Sequence, residues 1–397
     1  MSIVLAFSGG LDTSFCVPYL KETYQEPVYT VTVNTGGLDA DEARRLSAWS
    51  AELGAEGHET VDARAELYDR LLGYLVKGNV RRGGVYPLCV GPERVVQAET
   101  VIQAARRLGA RAIAHGSTGA GNDQVRFDGA IRLLAPDLEL ITPIRQLGLS
   151  REQSASYLRE RGFDVSAEKA TYSINKGLWG TTIGGAETLT TEQPLPDAAY
   201  PDSVSPAHAP DEGLTLTIGF ENGVPASLDG VAMTPVALVE RLNELGSQHG
   251  VGRGIHVGDT ILGIKGRVGF EAPAAVTLIE AHRELEKIVL TRWQQFQKRQ
   301  LADLYGMLMH EGQYFDPVMR DMEAYLDQSQ TRVTGTVTVR YLKGHINIDG
   351  CSSLHSMFDL DVASYGETNQ LWDARDAQGF TRIYGVQAML AHQSESP

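Results

Sequence analysis

The chain has 397 residues, 42% of them hydrophobic, which is long for one domain and comfortable for two with sizeable cores. Its formal net charge of −15 excludes a general basic footprint for nucleic acid or an acidic membrane surface. The three cysteines, Cys16, Cys89 and Cys351, form no Cys-x-x-Cys pair, which excludes a zinc ribbon or a sulfur-relay motif and suits a reducing compartment.

No run approaches the roughly 20 apolar residues of a membrane span, and Asp12 with the preceding Gly-Gly interrupts the opening apolar stretch too early for a secretory leader. The expectation is a cytoplasmic protein. The chain opens with the apolar run Ile3 to Leu5, then Ala6-Phe7-Ser8-Gly9-Gly10-Leu11-Asp12-Thr13-Ser14, then an apolar-periodic segment from Phe15 to Leu20. This reads as a strand, a glycine turn and a helix start. Glycine lets the backbone approach a ligand that a Cβ would block, and the free N–H groups of a helix start favour phosphate. The loop lacks the Gly-Lys-Ser/Thr of a Walker loop and the Gly-x-Gly-x-x-Gly of a dinucleotide fold.

Val28 to Val33 is rich in β-branched residues and predicts a strand that ends at Asn34-Thr35-Gly36-Gly37. Helices are expected over Ala40 to Leu53 and Ala63 to Leu72, with a short strand over Gly57 to Val61 between them. Pro92 to Leu108 predicts a helix with proline near its start and Gly109 past its end. Ala112 to His115 and Leu138 to Thr142 read as further strands. Strands alternating with helices predict an α/β fold with a parallel sheet, whose ligands sit beyond the carboxyl ends of the strands. There lies His115-Gly116-Ser117-Thr118-Gly119-Ala120-Gly121-Asn122-Asp123-Gln124-Val125-Arg126-Phe127, with more polar groups than a packing loop needs. Asp123 can take an amine, Asn122 a carboxylate or ureido group, and Arg126 a carboxylate. His115, at a strand end beside this loop, is a candidate site residue; His249 and His256 read as structural or surface groups.

Ser150-Arg151-Glu152-Gln153 is a capping-box pattern opening a helix to Arg161 that closes at Gly162. A domain boundary is expected near residue 165, dividing the chain into 1–165 and 166–397. Residues 184–213 carry five prolines and read as an irregular excursion. Leu214 to Phe220, the turn Glu221-Asn222-Gly223 and Val224 predict a hairpin. A helix is expected over Pro235 to Leu245, a strand over Thr260 to Lys265, and one long amphipathic helix from about Val276 to Met309 with its arginines and glutamates on a solvated face. Asp316-Pro317 starts another helix, to about Gln328. Val333 to Leu342, Lys343-Gly344 and His345 to Ile348 predict a second hairpin, and Phe380 to Ala391 a last helix. This half reads as an α+β domain without a nucleotide fingerprint of its own.

The opening loop resembles the pyrophosphate loop of the ATP pyrophosphatase superfamily, enzymes that cleave ATP to AMP and pyrophosphate. Taken with the Gly116 to Phe127 segment, the chain resembles the argininosuccinate synthase family. Tyr86-Pro87-Leu88, Tyr172 to Asn175, Leu178-Trp179-Gly180, His249 to Arg253, Gly263 to Arg267 and Phe270 to Pro273 extend the match over most of its length. The resemblance implies an AMP-forming ligase that joins citrulline to aspartate through a citrullyl-adenylate, in arginine biosynthesis. It implies ATP held by Ala6, Phe7, Ser8, Gly9, Gly10, Leu11, Asp12, Thr13, Ser14, Val33 and Gly116. It implies aspartate held by Thr118, Asn122 and Asp123, and citrulline held by Tyr86, Asn122, Arg126, Ser173 and Thr182. Asp12, Asp123 and Arg126 are the implied catalytic residues, with Asp12 near Mg²⁺ and pyrophosphate. A homotetramer with a C-terminal helix at subunit contacts is also implied.

The chain departs from the family pattern at Ala120, where a lysine is usual. It departs again at Gly91, a hydroxyl position, at Gly184, an acidic one, and at Gly258 and Phe270, usually glutamate and tyrosine. Most of these lie on the citrulline side. An aspartate ligase acting on another ureido or amide acceptor therefore stays open beside the citrulline reading.

Overall fold

The computed structural model describes residues 1–119, 121–165, 171–359, 362 and 370–395. Strands β1 (Ile3–Ala6), β2 (Val28–Asn34), β3 (Gly57–Asp62), β4 (Ala112–His115) and β5 (Glu139–Ile141) form a parallel sheet in the order β3-β2-β1-β4-β5. Side chains alternate across it. Ile3 and Leu5 join a core with Phe15, Leu20 and Leu158, while Val4 and Ile113 join the opposite core with Val101, Phe127 and Ile131. Each such fully buried aliphatic side chain contributes about 1.5–3 kcal/mol, so the period-2 pattern fixes which helices cover which face.

The register decides where the loops emerge. Ala6 pairs with Val31 on one side and with His115 on the other. The segments after β1 and β4 therefore leave the sheet side by side, at the carboxyl edge where the strand order reverses. The helix after β1 runs Leu11–Tyr24. The proline-led helix is Gly91–Arg107, with Gly109 at φ +60° just past it, and the Ser150–Gln153 capping box forms as written, opening the helix Arg151–Arg159. The helix expected to end at Leu72 runs on through a π turn at Tyr68–Leu72 to Gly78.

Two antiparallel sheets follow. Strands β6 (Ser173–Gly177), β7 (Gly180–Gly184), β8 (Leu214–Glu221), β9 (Val224–Leu228), β10 (Val231–Ala232), β11 (Arg253–Asp259), β12 (Lys265–Glu271), β13 (Gly335–Leu342) and β14 (His345–Ser352) pair in the orders β10-β9-β8-β13-β14 and β11-β12-β7-β6. Both expected hairpins are present. At the first, Asn222 and Gly223 take φ +49° and +76°, the left-handed pair that a two-residue hairpin turn requires. Trp179, Phe270, Leu278, Tyr305 and Tyr341 pack in the core between these sheets and their helices.

Four sequence expectations are corrected here. The stretch Thr260 to Lys265 is mostly the turn between β11 and β12, with Gly263 at φ +80°; only Lys265 is strand. The long helix is two, Pro273–Val289 and Arg292–His310, because Leu290 is extended and Thr291 starts afresh with a capping box to Gln294. Their charged residues are not all solvated: Glu286 and Lys298 are buried and pair at 2.7 Å. Residues Met1–Ser353 form one compact unit and Leu354–Pro397 a second. Within the second, Gly385 separates the helices Ala374–Tyr384 and Val386–Glu395, where a single helix was expected. No helix among the described residues is long and apolar enough to cross a membrane.

Candidate active site

The loop after β1 borders a cavity of about 660 Å³. Its wall includes Ala6, Phe7, Ser8, Gly10, Leu11, Asp12 and Thr13 from the loop and helix start, Val33 from β2, and Gly116 and Thr118 from the loop after β4. Gly10 caps the helix in extended backbone with no side-chain hydrogen bond, so the first-turn N–H groups keep their capacity for an anionic ligand. The loop is self-bracing: Ser8 N–H donates to Thr13 Oγ1 at 3.4 Å, and Thr13 Oγ1 donates to the Gly10 carbonyl at 3.2 Å. Gly9 and Ser14 are not on the wall. Gly9 sits at φ +71° over Leu46, and Ser14 is buried, donating to the Gly9 carbonyl and accepting from the Trp49 indole at 2.8 Å. Burial raises the Asp12 carboxyl above its usual range, partly offset by Arg151.

The second motif opens the helix Asn122–Leu134. His115 holds its loop. The imidazole Nδ1 accepts from Ser117 N–H at 3.2 Å, and Nε2 lies 3.0 Å from Asp128, which also receives Arg145 at 2.9 Å. Asp123 stands between two guanidiniums, with Arg94 Nη2 3.0 Å from Oδ2 and Arg126 Nη1 3.1 Å from Oδ1. Burial would raise the Asp123 carboxyl, but these two cations outweigh it and hold the group below its usual range. Asn122 Oδ1 accepts from Ile261 N–H at 2.9 Å, which fastens the β11–β12 turn over the motif.

A second cavity, of about 290 Å³, adjoins the first. Its wall includes Tyr86, Asn122, Asp123, Arg126 and Thr182, together with Arg82, His256, Arg267 and His310. Tyr86 stacks on His256, with ring centroids 5.6 Å apart and an interplanar angle of 15°. Ser173 lies on the first cavity, Thr182 on the second, and Gly121, Asp123 and Asn175 border both. The two cavities therefore adjoin at Gly121, Asp123 and Asn175, one on the side of the glycine loop and the other on the side of His310.

Two family models together match most of the chain. Residues 2–164 match the domain family described as Arginosuccinate synthase N-terminal HUP domain, and residues 172–391 match the Arginosuccinate synthase C-terminal domain. The chain belongs to the argininosuccinate synthase family. It is 40% identical over 396 residues to the argininosuccinate synthase of Xanthomonas campestris pv. campestris, covering 98% of each chain. It is 37% identical over 387 residues to that of Methanocaldococcus jannaschii, covering 98% of this chain and 97% of the relative. Among solved structures, an NH3-dependent NAD synthetase from Campylobacter jejuni aligns at 13% identity and a TM-score of 0.30, over 41% of this chain and 64% of that one, a likeness too low to add to the assignment.

Within this argininosuccinate synthase framework one glycine departure, Gly258, has a packing reason. A Cβ built at Gly258 would lie 2.5 Å from His256 Nε2, so the imidazole occupies the room that a side chain there would need. Phe270, 2% exposed, presses its ring against Gly254, where a Cβ would meet Cζ at 2.2 Å. At Gly91 and Gly184 a Cβ would make only ordinary van der Waals contact, with Met309 O at 3.6 Å and Ser173 O at 4.0 Å, so packing does not require glycine at either. Ala120 lies outside the described residues.

Sequence reasoning missed Arg82, Glu93, Arg94 and His310, and it read His256 as structural or surface although the imidazole lines the second cavity. Arg82 precedes Gly83 and Gly84, at φ +61° and +73°, a double-glycine turn that was a readable signal. Nothing in the sequence marks Glu93 or His310. Glu93 is 3% exposed and lines the first cavity, and burial pushes it up to about 8, with Arg94 opposing. The two ring nitrogens of His310 face Arg82 Nη1 at 2.9 Å and Arg126 Nη2 at 3.2 Å, only one of which a neutral imidazole can accept from, and burial together with these cations pulls it down to about 3.

Proposed function

We propose that the chain joins citrulline and aspartate to give argininosuccinate, consuming ATP and releasing AMP and pyrophosphate. The observation that carries the reading is the two-lobed cleft, with a phosphate-type loop in one lobe, a guanidinium-rich acceptor lobe beside it, and Asp123 where they meet. ATP sits in the first lobe, its phosphates on the backbone N–H groups of the Ser8 to Thr13 loop and its base toward Val33 and Gly116. Citrulline sits in the second lobe with its ureido end toward Asp123, near Tyr86, Arg126 and Thr182, with Ser173 close by in the first lobe. Aspartate lies along Thr118, Asn122 and Asp123.

The chemistry follows from this alignment. The ureido oxygen bonds to the α-phosphorus as the bond to pyrophosphate breaks, giving a citrullyl-adenylate. The aspartate nitrogen then bonds to the ureido carbon as the bond to AMP breaks, and the amine gives up its protons. The enzyme forms no covalent intermediate; alignment and charge neutralisation do the work. Arg94 and Arg126 keep Asp123 ionised, ready to accept from the incoming ammonium.

Mg²⁺ would neutralise charge on the departing pyrophosphate. The donor set fits a magnesium held mostly by phosphate and water. Among the described residues no group of three or more His, Cys, Asp or Glu could form a protein cage, and Asp12 is the carboxylate of the loop itself. We further assign residues 1–165 to ATP binding and 166–397 to the synthetase and multimerisation part of a cytoplasmic homotetramer.

The test is pyrophosphate release from Mg·ATP with citrulline and aspartate, each omitted in turn. Release that requires citrulline, with AMP and argininosuccinate formed when both are present, supports the reading. ATP binding without release under any substrate pair removes it. A changed acceptor is the second reading, favoured by the imidazole of His256 standing where Gly258 has no side chain.

A further inference from the structure

The acceptor lobe has a charge pattern that bears on which ureido compound it takes; the inference rests on the ligase reading above. Three guanidiniums reach its wall, Arg82, Arg126 and Arg267, against two carboxylates, Asp123 and Asp259. Both carboxylates are already paired. Asp123 lies between Arg94 and Arg126, and Asp259 binds Lys265 at 2.6 Å. By contrast, Arg82 donates only to His310 Nε2 and the Asp259 carbonyl, and Arg267 only to the carbonyls of Glu187 and Thr190; neither forms an ion pair among the described residues. The two imidazoles on the wall add no anion, and both are held neutral, by burial and by the arginines beside them.

A citrulline bound here would place its α-carboxylate well and its α-ammonium badly. The carboxylate finds two guanidiniums that hold no carboxylate at ion-pair distance among the described residues, although Asp259 lies near enough to Arg82 to feel its charge. The ammonium finds only carboxylates that already have cations beside them, Asp123 between Arg94 and Arg126 and the half-exposed Asp259 beside Lys265, and it faces the guanidiniums of Arg82 and Arg267. We propose that this lobe selects ureido carboxylates that carry no α-ammonium, with the carboxylate held by Arg82 or Arg267, and that citrulline is the poorer acceptor. The reacting atoms are untouched by this choice. The ureido oxygen still displaces pyrophosphate from the α-phosphorus, the aspartate nitrogen still displaces AMP from the ureido carbon, and nothing else is consumed.

The experiment uses the full chain with Mg·ATP and aspartate, and compares citrulline, N-acetylcitrulline and 5-ureidopentanoate by pyrophosphate release. The expected result is a kcat/KM for both ammonium-free acceptors at least about tenfold above that for citrulline, as loss of one buried like-charge contact implies. Any smaller ratio overturns the inference. Release with citrulline alone overturns the inference and leaves the ligase reading standing; release with none of the three, from protein that binds ATP, overturns both. Arg267→Gln and Arg82→Gln supply an independent readout, and the second serves if the first fails to fold. At least one is expected to lower kcat/KM for the ammonium-free acceptors about tenfold and to narrow their advantage over citrulline. An unchanged ratio in both folded variants overturns the assignment.

Discussion

Arg94 and Asp123, 29 residues apart in sequence, meet across the cleft at 3.0 Å, and Arg126 closes on the other carboxylate oxygen at 3.1 Å. The pair ties the helix Gly91–Arg107 to the start of the helix Asn122–Leu134 at the point where the two lobes join. Asp123→Asn keeps the shape and removes the charge. It is expected to lower kcat with saturating substrates by about a hundredfold or more, since it strips the ammonium acceptor and leaves two buried guanidiniums uncompensated. Steady-state pyrophosphate release checks this, and normal turnover in the variant contradicts the role.

Glu93 predicts a pH dependence of stability with a definite sign. Its folded value, about 8, lies above the ordinary 4.5, so the native state holds the proton more tightly than the unfolded chain. The stabilisation is complete below about pH 4.5 and is lost as pH rises through about 8. Glu93→Gln should flatten that slope, and relative to wild type it should gain on the order of a few kcal/mol between pH 5 and pH 9. Denaturant unfolding of both proteins across this range is the measurement. Parallel curves would show that the carboxyl is not protonated at neutral pH.

His310 is expected to stay neutral far below its ordinary range, because its ring is buried and faces Arg82 and Arg126. With a folded value of about 3 against an ordinary 6.5, it removes stability as pH falls from about 6.5 toward 3, the window in which only the unfolded chain takes up the proton. Histidine-selective NMR should find its ring signals unchanged from pH 7 to pH 4. A midpoint near 6.5 would mean that the guanidiniums do not face it in solution.

Two glycines separate folding from function. Gly36, at φ +110°, lies so close to the Leu178 backbone that a Cβ would meet its nitrogen at 2.5 Å, so Gly36→Ala should cost about 2–4 kcal/mol, read as a lower denaturation midpoint. Gly258→Ala meets the imidazole of His256 instead, on the wall of the acceptor lobe. It should raise the acceptor KM severalfold while leaving the KM for ATP within about twofold. Equal effects on both would mean that the two lobes are not independent.

What the sequence determined by itself is local. The glycine loop after β1, the alternation of strands and helices, the capping box at Ser150 and the Asn222-Gly223 hairpin are each set by propensities acting over a few residues, and each formed where the residues placed it. A second capping box at Thr291 was equally legible, and reading it would have divided the long helix. The strands β11 and β12 were not legible, because Gly254, Gly258, Gly266 and Gly269 dilute their β-propensity and pairing with β7 supplies what the local sequence lacks. The site divides in the same way. The loop and the Asn122 to Arg126 motif could be read as continuous strings. Arg82 was marked by the double-glycine turn after it, but Arg94, His256, Arg267 and His310 could not be read, since only packing of the β11–β12 hairpin and the end of the helix Arg292–His310 against the parallel-sheet part completes the site. Burial and the charge of neighbours, which decide whether Asp123 is ionised and Glu93 is not, exist only once those distant segments have met.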